Sequence, residues 1–129
     1  HDPEILIEAM KKYNFDTVTA CVNAGDPYYL PFITTVLPEA RKRAMGVIAM
    51  KIFAKGYLLK PRGTHSPKEA MHYALSQDID LAIVGCSNTG QLEENVRLAS
   101  AFKKLTRPEL LKIESMAKNN RYAWWFKKE

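Results

Sequence analysis

The sequence predicts an α/β chain in which three parallel strands alternate with helices, with an extra helix after the last unit. Three observations lead there. Short apolar or β-branched runs begin near residues 17, 47 and 80, a period of about 30 residues that suits one strand–helix unit each. Each run ends in turn chemistry, and each turn is followed by apolar residues at helical spacing. Strands that alternate with helices pair in parallel through right-handed crossovers.

The elements follow in order. Asp2 and Pro3 open a first helix as N-cap and first helical residue. Ile5, Leu6, Ala9, Met10 and Tyr13 form its predicted apolar face, and Asn14 ends it. Thr17 to Val22 is the first strand, and Asn23 to Tyr29 is a turn. From Pro31 to Ala44 a second helix presents Phe32, Ile33, Val36, Leu37 and Ala40, with Pro38 forcing a kink or a late start. Gly46 to Phe53 is nearly all apolar and predicts a strand covered on both faces. Ala54 to His65 reads as a loop rich in Gly, Pro and basic residues. Ser66-Pro67-Lys68-Glu69 is a capping box that opens a helix carrying Ala70, Met71, Ala74 and Leu75. Leu81 to Gly85 is the third strand, followed by a helix over 89–103. A second capping box, Thr106 to Glu109, starts the last helix, which runs to about Lys118. Residues 119–129 form an aromatic and basic tail.

With 129 residues, 47% of them hydrophobic and 26% charged, the chain reads as a single soluble domain. No apolar run approaches the length of a membrane span, and there is no signal-peptide pattern. The first residue is His1, so the chain reads as processed or as part of a longer protein. Cys21 and Cys86 are far apart with no metal-ligand spacing, which predicts reduced, buried thiols in a cytoplasmic protein and no metal site. The net charge of +5 points to an anionic partner, while most of the basic residues, spread over the chain without a long run, read as solvated helix faces. Base stacking by Tyr122, Trp124, Trp125 and Phe126 is set aside, since no nucleic-acid recognition motif accompanies them. Packing against the rest of the fold or an oligomer interface is the expected role of that tail.

The stretch from Asp80 to Phe102 carries the most chemistry. A buried strand runs straight into a polar turn where Ser87, Asn88 and Thr89 can cap the next helix. In parallel α/β proteins this junction is where anions bind, because free helix N–H groups point outward. An ordinary strand-to-helix turn has the same spacing. Three strands cannot close a barrel, and an open three-stranded sheet leaves long edges unpaired. The chain therefore reads as half of an eight-unit barrel.

Three segments resemble the C-terminal half of an aldo/keto reductase. HDPEILIEAMKKYNFDTVTACVNAGDPYY is similar to the family's stretch from the end of strand five through strand six. GVIAMKIFAKGYL resembles the strand-seven pattern GVIAxxPLxxGxL, and IVGCSNTGQLEEN resembles the strand-eight pattern IPGxxxxEQLxEN. Together they cover nearly the whole chain, in the family's order. The resemblance implies the C-terminal half of a (β/α)8 barrel, a single partial domain over 1–129 that binds NADP(H), with NAD(H) as the alternative.

It further implies that Ile52, Phe53, Ala54, Lys55 and Gly56 lie against the cofactor's pyrophosphate. Met50 falls where many members place an aromatic on the nicotinamide, and a methionine offers no π face for stacking. Gly85, Cys86, Ser87 and Asn88 match positions at the ribose and its 2′-phosphate, and Glu94 and Asn95 match the pair that holds the adenine. Gln91 stands where many members have an Arg on the 2′-phosphate; a neutral amide cannot form that charged fork. The family's catalytic Asp, Tyr, Lys and His come from strands two to four, so no catalytic residue is expected here. Neither His1, Lys51, His65 nor His72 matches one, and His72, inside a helix, is expected either at the surface or just behind the site residues. Tyr28 and Tyr29 are candidates only for a pocket wall.

The expected partners are a dinucleotide, a small carbonyl substrate in the full-length enzyme, and the other half of the barrel or a second copy of this chain. Nucleic acid and membrane are not expected. The competing reading is a non-catalytic half-barrel module that self-associates.

Overall fold

A computed structural model describes residues 1–120. The aromatic part of the tail, from Arg121 onward, lies outside the described residues. Among the described residues five α-helices and three strands follow one another, with short 3-10 turns at Asp26–Tyr28 and Ala54–Gly56: α1 (Pro3–Lys12), β1 (Thr17–Cys21), α2 (Val36–Lys42), β2 (Gly46–Met50), α3 (Pro67–Leu75), β3 (Leu81–Ala82), α4 (Thr89–Ser100) and α5 (Arg107–Ala117). The sheet is parallel throughout, in the order β1-β2-β3. Its register sets Thr17 beside Gly46, Cys21 beside Met50, and Ile48 beside Leu81.

Local signals account for most helix ends. Asp2 accepts the Glu4 N–H at 2.9 Å and caps α1. Glu69 accepts from both the N–H and the hydroxyl of Ser66, at 2.8 and 2.9 Å, and Ser66 Oγ accepts the Glu69 N–H in return. Pro38 is the third residue of α2, where its missing N–H costs nothing, so the helix starts late at Val36.

The core lies between one face of the sheet and the helices. Val18, Ala20, Val47 and Ala49 point into it, joined by Val36, Leu37, Ala40 and Met71. The other face is open, which departs from the sequence reading. Ile48 and Met50 are only half-buried, so β2 is not covered on both faces. β3 is two residues long, and Leu81 and Ile83 are each 55% exposed rather than buried. Ile5 and Tyr13, counted on the apolar face of α1, are exposed; Met10 of that face is buried, as is Pro3 before it. On α4, Leu92 and Val96 also face outward. The physical reason is shared: α1 and α4 are the end helices of an open sheet, and among the described residues their main helix contacts are with α2 and α3 respectively.

Cys21 is fully buried as expected, but Cys86 is exposed, because β3 ends before it and the turn carries it out. Both thiols are free. His72 is buried, which rules out the surface alternative; its Nε2 donates to the Leu98 carbonyl at 3.1 Å and Phe102 meets its ring edge-on. No helix among the described residues is long and apolar enough to cross a membrane.

Two polar devices hold the sheet and the extra helix in place. At the start of the strands, Asp80 Oδ2 accepts the Val47 N–H at 2.7 Å and Arg41 Nη1 at 2.7 Å, and Arg41 Nε reaches Asp78 at 3.0 Å. At the other end, α5 is bonded to the rim loops. Tyr28 Oη donates to the Glu114 carbonyl, His65 Nε2 to the Ile113 carbonyl and Thr64 Oγ1 to the Met116 carbonyl, at 3.0, 2.9 and 3.0 Å. Tyr73 donates to the Glu114 carboxylate at 2.8 Å, and burial followed by that negative charge pushes its phenol far above the usual range.

The Asp80 clamp has a pH signature. Its carboxyl is held below the usual value, first by the Arg41 hydrogen bond and then by the Val47 N–H. The stabilisation is therefore complete above the unfolded carboxyl value near pH ~4 and is lost as pH falls through the folded value. In urea unfolding across this range, Asp80→Asn should show a flatter acid limb than the wild type; superimposable limbs would contradict the clamp.

Candidate functional site

The C-terminal ends of β2 and β3 frame a cavity of about 560 Å³. Parallel pairing puts both strand ends on one rim, so the segments after Met50 and after Ala82 face each other although they lie over thirty residues apart. From the β2 side the wall is Met50, Lys51, Ile52, Phe53, Lys55 and Gly56, extended by Leu59 and Pro67. From the β3 side it is Ile83, Gly85, Ser87, Gln91, Glu94 and Asn95.

The residues singled out in the sequence are thus largely brought together, with three exceptions. Ala54 is fully buried and does not line the cavity. Cys86 and Asn88 are exposed and lie outside the lining. Asn88 acts instead as the N-cap of α4, accepting the Gln91 N–H at 2.9 Å. Lys51, Leu59, Pro67 and Ile83 were not among the predicted site residues. Only Lys51 left a signal, as a lone cation inside the apolar run Gly46 to Phe53.

The β2 loop owes its shape to an unusual backbone. β2 stops at Met50, short of the predicted Phe53, because Lys51 takes φ 55° and turns the chain out of the sheet. Ala54, Lys55 and Gly56 follow at φ 48°, 54° and 84°. Left-handed residues with a Cβ are costly and gather where surrounding structure over-determines them. Here the Ala54 N–H donates to the Lys51 carbonyl at 2.7 Å and the Gly56 N–H to Phe53 at 2.8 Å. The loop is also tied to α5 through His65 and Thr64, and Asn120 donates to the Tyr57 carbonyl at 2.7 Å.

Charge is divided across the cavity. Lys51 and Lys55 stand on the β2 wall; Glu94 stands on the β3 wall beside the carboxamides of Gln91 and Asn95. Gln91 Oε1 accepts the Ser87 N–H at 2.7 Å, which folds the turn back on the first turn of α4. Glu94 also pairs with Arg97 at 3.8 Å. The N-terminal end of α4, positive by its aligned peptide dipoles, opens on the same rim. A Cβ built on either Gly56 or Gly85 meets nothing within 4 Å, so backbone can be approached closely on both walls.

An elongated ligand with an anionic centre and a neutral, hydrogen-bonding end fits this division. Tyr28 does not line the cavity, since its hydroxyl is held by α5, and Tyr29 does not line it either. Among the described residues, no group of three or more His, Cys, Asp or Glu is placed to hold a metal ion.

The fold matches about half of a solved enzyme. The chain superposes on an aldo-keto reductase from Bacillus halodurans in its holo form with a TM-score of 0.69 and 18% identity, over 95% of this chain and 50% of the enzyme. On the apo form the TM-score is 0.68 at 18% identity, over 89% of this chain and 48% of the enzyme. The chain thus spans about half the length of the enzyme it matches, and three parallel strands with their helices reproduce about half of that barrel. No protein-family model matches the sequence. No curated protein matches it either.

Replacing Gly56 by Ala tests the loop backbone. With open space around the new Cβ, the cost comes from φ +84° alone and should be about 1–2 kcal/mol in chemical denaturation. An unchanged midpoint would mean that the loop does not hold this conformation.

Proposed function

We propose that this chain is the cofactor-binding, C-terminal half of an NAD(P)H-dependent aldo/keto reductase, a carbonyl-reducing enzyme whose catalytic tetrad belongs to the other half of the barrel. The observation that carries the reading is the cavity at the ends of β2 and β3, with two lysines and bare backbone at Gly56 on one wall and Glu94, Asn95 and Gln91 on the other. The three motif segments quoted above fall on the elements that build it, and the solved fold spans the same half-barrel arrangement.

When bound, the nicotinamide cofactor supplies hydride to a small carbonyl substrate. This chain's residues bind and orient it. Lys55 and the backbone at Gly56 meet the diphosphate, where positive charge and close approach both favour an anion. Glu94 and Asn95 accept from and donate to the adenine edge. Met50, half-buried at the strand end, would offer an apolar surface to the nicotinamide end of the cofactor. At Gln91 the amide already accepts the Ser87 N–H, so a 2′-phosphate gains no cation there.

Titrating the chain with NADH and NADPH by calorimetry tests this. Saturable binding with comparable affinities is expected, together with no carbonyl turnover by this chain alone. Gln91→Arg should then favour NADPH by roughly tenfold, the scale of one charge-assisted pair. Failure to bind either cofactor would sink the reading.

A second reading, self-association of half barrels, draws on the apolar surface left open. Leu81, Ile83, Leu92 and Val96 form one exposed flank, and Ile5, Tyr13 and Phe15 the other. Covering them is favourable whatever the partner. The count of strands separates the partners: eight close the barrel, three are here, and a second copy brings three more, not five. The other half of the barrel is the better complement. Sedimentation should show the chain associating by itself, and Leu92→Asp with Val96→Asp should reduce this; a strictly monomeric wild type would remove the second reading.

A further inference from the structure

We propose that a second cavity, between α3 and α5, is a binding site for a small zwitterion, an α-amino acid with an aliphatic side chain. It shares no lining residue with the rim cavity, and the dinucleotide reading does not bear on it.

The cavity has a volume of about 340 Å³. Ser66, Lys68, Glu69 and His72 line it along α3, and Leu105 and Ile113 line it from α5 and the turn before that helix. Its size suits a small ligand. The walls are fixed before any ligand arrives. The Leu105 N–H donates to Ser76 Oγ at 2.9 Å, which ties the turn to the end of α3, and the Ile113 carbonyl is held by His65.

Two acceptors on α3 face this space without a partner. His72 is 5% exposed, and its Nε2–H is committed to the Leu98 carbonyl, which leaves Nδ1 as an acceptor in the neutral ring. Among the described residues no group bonds Nδ1, and no unpartnered side-chain nitrogen or oxygen is sealed from solvent. Nδ1 therefore opens to the space that His72 lines, which is this cavity. One turn earlier, Glu69 takes both Ser66 bonds on Oε2 and leaves Oε1 free. Residues three apart on a helix are neighbours, so one group can bridge Oε1 and Nδ1. Partial burial opposes the charge on Glu69; the Ser66 bonds outweigh it and hold the carboxyl below its usual range.

The chemistry of the occupant follows. A carboxylate beside a lone pair calls for a positively charged donor with more than one N–H, which an ammonium is. Lys68, in no ion pair among the described residues, lines the same cavity and calls for a carboxylate at the ligand's other end. A metal ion could use the two acceptors, but the charge of Lys68 opposes it. Leu105 and Ile113 supply apolar surface for an aliphatic side chain. An amino acid of the leucine kind meets all three demands.

Titration of the full chain with L-leucine, followed by calorimetry and by the nitrogen resonance of His72 Nδ1, tests the assignment. A saturable shift at Nδ1 is expected. Leucinamide, which lacks the carboxylate, and isocaproate, which lacks the ammonium, should each bind about tenfold more weakly. Glu69→Gln keeps the capping box, since a carboxamide serves at that position, and should weaken leucine by about tenfold as well. Lys68→Met should weaken leucine several-fold and leave leucinamide unchanged. Absence of a saturable shift up to ~20 mM leucine would overturn the proposal. So would leucinamide or isocaproate binding as tightly as leucine, or either variant binding leucine as the wild type does.

Discussion

Everything at the rim depends on the parallel ladder through β2. Because β1 and β3 both pair with it in the same direction, all strand C-termini arrive at one end, and the segments that follow them have no choice but to meet. The register is secured at the opposite end, where the Asp80 carboxylate joins β2 to Arg41 of α2. A slip of one residue at that clamp would move Met50 off its wall and turn Val47 and Ala49 away from the helices. The clamp and the cavity are therefore two ends of one mechanical object, although no side chain connects them.

The second dependence is on α5. It contributes little to the sheet, yet carbonyls of Ile113, Glu114 and Met116 receive bonds from the loops after β1 and β2. Asp26 completes this on the β1 side, its two oxygens taking the N–H groups of Phe32 and Ile33 at 3.0 and 2.9 Å. Buried donors and acceptors with partners fixed on several elements leave loops little room to rearrange. The unusual backbone from Lys51 to Gly56 persists because of that scaffold and not because of its own sequence.

Much of this was legible in the amino-acid sequence because it is local. The proline and capping boxes at Asp2, Ser66 and Thr106 mark helix starts within a turn, and the period of the apolar runs dictates parallel pairing. What was not legible depends on neighbours. Ile5, Tyr13, Leu81 and Ile83 are apolar for a surface that the described fold does not cover, so hydrophobicity alone misplaced them inside. His72 goes the other way: a carbonyl from α4 and the ring of Phe102 make burial of an imidazole acceptable, and neither partner is local in sequence. At the site, motif matching points to Gly56, Ser87 and Glu94, which line the cavity, and not to Lys51, which lines it too with a left-handed backbone that residue type does not encode.

The two walls of the cavity differ in how firmly they are built. One is cross-braced by α5 and by Asn23; the other is a two-residue strand, an exposed turn and a helix of which only Leu98 is buried. In hydrogen-exchange terms the β3–α4 side should open well before the β2 loop does, because few apolar contacts oppose it. A ligand spanning both walls would gain its contacts on the firm side at once and then order the soft side around itself. Occupancy of the cavity and folding of the chain's last sheet unit are then a single coupled equilibrium.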